Sequence, residues 1–254
     1  MKNKKFIDLS MSIRNSAMEP QLTEIDYHVY DETARERAKK WSMRYQDFPT
    51  PGNFIAYEIV KLSSHSGTHM DSPYHYGPTC EGGKPKTIDE IPLEWCFNDG
   101  VVLDFSNFTP EDLITKIDIE KKLQDIDYKI KPLDIVLIRT DASKYSEEYD
   151  YDQRHTGLSR DAVFCLTEKG VKIIGIDGWG VDSPTDIMVR ELKKGNRDRF
   201  YPAHMAGRDV EYLHVEKLTN LDLLPDYGFK VSVFPIKIAR GSGGWVRAVA
   251  IIEE

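Results

Sequence analysis

Cysteine is scarce in this chain. Cys80, Cys96 and Cys165 are the only 3 in 254 residues, odd in number, far apart and without a Cys-x-x-Cys pair. They suggest neither a disulfide framework nor a thiolate metal cluster, and a cytosolic setting fits. The opening MKNKKFIDLSMSI has basic residues but no apolar run of signal-peptide length, and nowhere do about 18 apolar residues follow one another. A soluble cytoplasmic protein with no membrane partner is expected. No basic run of the kind that tracks phosphates occurs, since 34 Lys and Arg stand against 42 Asp and Glu for a formal charge of -8. Nucleic acid is therefore not an expected partner. Gly/Ser-rich and Pro-rich linkers are missing, as are internal repeats, so residues 1–254 read as a single domain.

What the chain does have is SSHSGTHMDSPYHYG, which crowds His65, His69, Asp71 and His75 into eleven residues. With 7 His in the whole chain, chance clustering of three in such a window is a poor explanation. As one α-helix the window would put His65 and His69 on one face and Asp71 and His75 on another, and Gly67 and Pro73 oppose a helix. As one strand it would put all four on one side, but at about 3.3 Å per residue His65 and His75 would stand about 33 Å apart. One ion with bonds of about 2 Å cannot bridge that span. The chain must fold back within the motif, with Gly67 supplying unusual dihedrals and Pro73 a fixed φ. Any one of these residues alone reads as an ordinary turn residue; together they read as a metal site. The His-Glu-x-x-His pattern of helical zinc proteases is missing, since Ser66 occupies the place of its Glu.

The pattern HxGTHxDxPxH resembles the cyclase family of metal-dependent hydrolases, a group that includes bacterial kynurenine formamidase, isatin hydrolase and a trans-dienelactone hydrolase. GGKPKTIDEIPLEWC, KPLDIVLIRT, GIDGWGVDSP, HMAGRDVEYLHVEKLTNL and FPIKIARGSGGWVRAVA extend the resemblance over nearly all of the chain from about Phe54. It implies an α/β protein of the swivelling β/β/α fold, with a β-barrel-like core and flanking helices, assembled as a homodimer or homotetramer. From about Asn15 to Pro51 the match to kynurenine formamidase is weakest, and a Trp-Pro-Gly turn of that enzyme is missing. In the relatives this part helps cover the substrate, so residues 1–52 are expected to form a cover fitted to a different ligand.

Coarse patterning agrees with an α/β layer. FIDLSMSI suggests a short strand, and Asp31 can cap a helix with Ala34, Ala38 and Trp41 on one face. NFIAYEIVKLS reads as a strand delivering the chain into the ligand loop, and VVLDF as another. Asp118 can cap a helix bearing Ile119, Leu123 and Ile126. PLDIVLIRT and VKIIGID read as buried strands flanking a helix with Ser159 as N-cap and Gly170 beyond its end. GFKVSVFPIKIA and WVRAVAII read as a closing β-hairpin turned by the glycines at 241, 243 and 244.

A hydrolytic metal needs ligands that leave a position open for water. His65, His69 and Asp71 form such a set. The resemblance implies that, where two metals are present, Asp71 bridges them while His204 and Glu216 complete the second site. Zinc is the first choice of ion, with manganese or iron as alternatives, at one or two per chain. His75 is the candidate proton shuttle, with a third-ligand role as its alternative, and Glu216 is a second candidate catalytic group. Trp179 is read as an apolar wall for a flat small-molecule substrate. Asp177 and Asp182 can hold a ligand or a His, or merely shape a turn. Arg139 reads as an ion-pair partner before an anion contact, and His214 as a packing or solvent-facing residue. The expected reaction is hydrolysis of a small amide, lactam or ester by a metal-activated water. A metal-dependent lyase or cyclase and a non-catalytic metal-binding protein are the alternatives.

Overall fold

A computed structural model describes residues 3–14, 19, 22–48 and 54–253. In chain order the strands are β1 (Lys4–Asp8), β2 (Glu24–His28), β3 (Tyr57–Lys61), β4 (His69–Asp71), β5 (Phe97–Asp104), β6 (Leu113–Ile114), β7 (Ile135–Arg139), β8 (Gly157–Leu158), β9 (Ile173–Ile176), β10 (Leu213–Glu216), β11 (Tyr227–Ser232), β12 (Gly243–Trp245) and β13 (Val249–Glu253). The helices are α1 (Tyr30–Lys40), α2 (Pro73–Tyr76), α3 (Lys116–Asp125), α4 (Arg160–Thr167), α5 (Thr185–Lys193) and α6 (Pro202–Ala206). Contacts divide the chain into two compact units, Met1–Ser12 with Gly67–Glu254 and, separately, Ile13–Ser66.

The larger unit is built on a nine-stranded sheet of order β1-β13-β11-β5-β7-β9-β10-β4-β12. Its centre, β5-β7-β9-β10, is parallel. IVLIR and IIGI supply that centre because uninterrupted β-branched and apolar runs suit strands covered on both faces. Their side chains alternate between two cores. Val136, Ile138, Ile174 and Ile176 pack with Ile119 and Leu123 of α3, Val163 and Leu166 of α4 and Ala203 of α6. Ile135, Leu137, Ile173, Leu213 and Val215 pack with Met70, Phe229 and Val231 on the opposite side. Each such fully buried side chain contributes about 1.5–3 kcal/mol relative to exposure.

Connectivity forces the sheet to curl. β12 and β13 lie seven strand positions apart, about 34 Å if the sheet were flat. Only Val246, Arg247 and Ala248 join them, a reach of about 14 Å. The sheet therefore bends into a half-barrel around the second core, the α/β architecture with flanking helices that the sequence implies. One expectation fails here. β11 and β13 do pair antiparallel, with Phe229 opposite Ile252, but they are not a simple hairpin. Gly243 and Gly244 form β12, which leaves that pair to bond β4. A side chain is excluded at Gly244, where a β-carbon would lie 2.7 Å from the Ile236 carbonyl oxygen.

Helix starts follow local chemistry. The Ser159 hydroxyl accepts from the Ala162 N–H and caps α4, as its sequence predicts. For α3 the cap is Thr115, with Asp118 returning a bond to the Thr115 N–H, so Asp118 closes a capping box rather than serving as the cap.

In the smaller unit β2 and β3 form a two-stranded antiparallel ladder. α1 starts at Tyr30, before Asp31, whose carboxylate instead bonds Arg35 and Tyr45. Ala34 and Ala38 are buried with Phe48, whereas Trp41 lies past the helix end, half exposed, against the rings of Phe48 and Phe54. Among the described residues no helix is long and apolar enough to cross a membrane.

Candidate metal centre

The HxGTHxDxPxH motif is neither one helix nor one strand. Gly67 adopts φ +61°, a left-handed conformation that glycine takes without penalty. His69–Asp71 then form β4, and Pro73 opens the single helical turn α2. That turn carries the chain back, so His75 Nε2 reaches 3.5 Å from Asp71 Oδ2. His65 belongs to the smaller unit, on the turn after β3, partly buried, with its N–H donating to Ser63 Oγ at 3.2 Å.

Strand pairing completes the arrangement. In the antiparallel ladder between β10 and β4, His214 stands opposite Asp71 and Glu216 opposite His69. Directly opposed residues share a face, so all four side chains project together. His214 is also level with Ile174 of β9, which places this group on the helix-covered face of the sheet. There α6 brings His204, whose Nε2 lies 3.8 Å from Asp71 Oδ2. Asp71, His204, His214 and Glu216 each offer one ligand atom within 4.8 Å of the others.

The two carboxylates reach in two directions. Asp71 Oδ1 is 3.3 Å from His69 Nε2, while Oδ2 is 2.9 Å from His214 Nε2. Glu216 repeats the pattern, with Oε2 3.5 Å from His69 Nε2 and Oε1 3.3 Å from His214 Nε2. The Val181 N–H donates to Glu216 Oε1 and fixes that carboxylate. His69, Asp71, His214 and Glu216 are all buried. Burial opposes a charge on His214, but Asp71 and then Glu216 outweigh it and raise its pKa to about 10. Burial likewise favours a neutral Glu216, yet the bond to His214 and its charge hold that carboxyl below the usual range. Two buried carboxylates require positive charge between them.

The donor set fits a divalent cation. His69 Nδ1 bonds the Gly67 carbonyl at 2.8 Å, and His204 Nδ1 bonds Asp182. Both rings thereby carry hydrogen on Nδ1 and aim an Nε2 lone pair at carboxylate oxygens, the orientation of metal-ligating imidazoles. A cation turns that lone-pair crowding into coordination.

Of the other residues singled out in the sequence, Asp182 also accepts from the Ala203 N–H at 2.7 Å and so holds α6 as well as His204. Asp177 takes part in no ligand group among the described residues; it accepts from Thr140 and the Asp141 N–H. Arg139 pairs with Asp104 and Asp141. Trp179 is partly exposed, with Lys217 Nζ 3.8 Å from its ring centroid and Tyr151 edge-on. The expectation for His214 is corrected: it neither faces solvent nor merely packs, but lies fully buried against Asp71 and Glu216. Its two-residue spacing from Glu216 was the available signal, since LHVE is a strand and period two puts both on one face. His155 is a further buried imidazole that sequence reading passed over. Burial lowers its pKa, and it packs so closely on Gly178 that a β-carbon there would sit 2.7 Å away.

The family model described as Putative cyclase matches residues 7–183. The chain belongs to this family. Isatin hydrolase of Roseibium aggregatum is 29% identical over 220 residues, covering 82% of this chain and 80% of that protein. Kynurenine formamidase of Bacillus thuringiensis is 24% identical over 250 residues, 98% of each chain. Among solved structures, an isatin hydrolase bound to the product analogue thioisatinate superposes with a TM-score of 0.77 over 99% of this chain and 93% of its own, at 23% identity. A novel cyclase superposes at 0.74 over 98% and 89%, at 17% identity. The relatives of named activity are hydrolases, and this member of the cyclase family is a hydrolase with a His, Asp and Glu cluster suited to a divalent metal.

Proposed function

We propose that the protein hydrolyses the carbon–nitrogen bond of a small amide, either a cyclic amide of the isatin kind or an N-formyl aryl amine of the kind handled by kynurenine formamidase. The observation that carries this reading is the convergence of His69, Asp71, His204, His214 and Glu216 on one buried face of paired strands. A divalent cation held there supplies Lewis acidity, which acidifies water and polarises a substrate carbonyl. Zinc suits imidazole and carboxylate ligands, as do manganese and iron.

The residues divide the remaining work. His69, Asp71, His204 and Glu216 would hold the ion through their imidazole nitrogens and carboxylate oxygens. His75 is about a third exposed, with its ring 5.4 Å from that of His204. This position suits it to take a proton from water and return one to the departing nitrogen. Trp179, partly exposed, is the apolar wall in this reading.

The test is turnover of isatin, formanilide and simple lactones and lactams by purified protein, before and after chelation and with zinc, manganese or iron restored. Metal-dependent ring opening or deformylation, with oxygen-18 from water entering the product acid, is expected. Turnover that survives full metal removal, or product without label, rejects the reading.

A further inference from the structure

We infer that His214 is itself a metal ligand, so that Asp71, His204, His214 and Glu216 close a four-residue shell around one ion and leave water activation to the His69 side. The inference rests on the metal-dependent reading above and deepens it.

Three observations carry it. The first is tautomer. Tyr212 donates its hydroxyl hydrogen to the Ala203 carbonyl at 2.7 Å, which leaves its oxygen as an acceptor 3.5 Å from His214 Nδ1. With the Tyr212 oxygen as acceptor the hydrogen on Nδ1 is held, and a cation taking the place of the Nε2 proton would meet Nε2, Asp71 Oδ2 and Glu216 Oε1 together. This repeats the arrangement of His69 and His204, each anchored through Nδ1 with Nε2 turned inward. The second is spacing. A tetrahedral shell with bonds of about 2.0–2.2 Å has ligand–ligand edges of about 3.3–3.6 Å. The edge from His214 to Glu216 Oε1, 3.3 Å, falls in this range, and those from Asp71 Oδ2 to His214 and His204, 2.9 and 3.8 Å, lie on either side of it. The third is rigidity. The His214 ring stacks on Tyr76 at 5.0 Å, and the His214 backbone N–H donates to the Tyr76 hydroxyl, so strand and ring are both held.

Four protein ligands fill a tetrahedral shell, the mark of a site that keeps its ion, whereas a site that activates water keeps a position open. His69, facing Asp71 Oδ1 and Glu216 Oε2, is left on the open side. The tetrad would thus hold its ion tightly and leave Asp71 Oδ1 and Glu216 Oε2 turned toward His69.

The experiment is cobalt(II) titration of the full chain and of His214→Ala, with metal content and visible absorption measured together. The wild type should take two ions, the tighter giving the intense bands of four-coordinate cobalt. His214→Ala should lose the tight class, with affinity weakened more than 100-fold, and keep the weaker one. Because that variant could misfold, cadmium-113 NMR of wild-type protein labelled with nitrogen-15 histidine provides a second reading, in which His214 Nε2 should couple to cadmium. Unchanged stoichiometry and spectrum in folded His214→Ala, or a His214 ring without coupling, overturns the inference and makes His214 a hydrogen-bond donor to the carboxylates. A wild type that takes up no ion at all overturns the metal reading as well, and so separates the two failures.

Discussion

Glu216 stands directly opposite His69 across the antiparallel ladder of β10 and β4, and its Oε2 lies 3.5 Å from His69 Nε2. The other oxygen accepts the Val181 N–H at 3.0 Å and faces His214. Glu216→Gln preserves the shape and can retain the bond from Val181 while removing the negative charge. Metal affinity should fall at least 10-fold by isothermal titration, with far-UV circular dichroism unchanged. Equal affinity would remove Glu216 from the ligand set.

Replacing His69 by Ala takes away an imidazole whose Nε2 faces both carboxylates. Metal on the open side and turnover should be lost together. An active His69→Ala protein free of that ion is the contrary result.

His75 differs from the buried histidines in its exposure. His75→Gln should keep its metal and lose about 10²–10⁴-fold in kcat, the usual contribution of a positioned acid–base group. Loss of metal in parallel with kcat would instead make His75 a ligand.

Asp182 acts through His204. It accepts from His204 Nδ1 and from the Ala203 N–H at the start of α6. Asp182→Asn should weaken metal binding about 10–100-fold, as loss of a carboxylate behind a ligating imidazole commonly does. Binding as tight as wild type would assign Asp182 to helix anchoring alone.

Asp177 provides a pH signature away from the metal. Burial raises its pKa from 3.8 to about 6 despite bonds from Thr140 and Asp141. Because the folded value lies above the unfolded one, its contribution is full below about pH 4 and is lost as pH rises through about 6, a change of about 3 kcal/mol at most. Asp177→Asn lacks this titration. The stability difference between wild type and variant in urea should therefore shift in the variant's favour from pH 4 to pH 7, and a constant difference excludes the effect.

Much of this was legible in the chain. The cluster at His65, His69, Asp71 and His75 could be read because four ligand types fall within eleven residues, and the need for a fold-back followed from reach alone. Central strands such as IVLIR and the Ser159 cap were legible because short-range patterning dictates them. The misread features involve competition between neighbours. Thr115 outcompetes Asp118 as a cap because it stands one residue before the helix and Asp118 at its third position. Gly243 and Gly244 look like a turn, yet pair with β4 because Gly244 leaves room for the Ile236 carbonyl.

By itself the sequence determined the types of ligand and the apolar runs that form the central strands, because each depends on residues close together in the chain. Only the tertiary structure decided that His214 faces Asp71 rather than solvent. That choice depends on the register between β10 and β4, and a slip of one residue would have turned His214 and Glu216 to the opposite face.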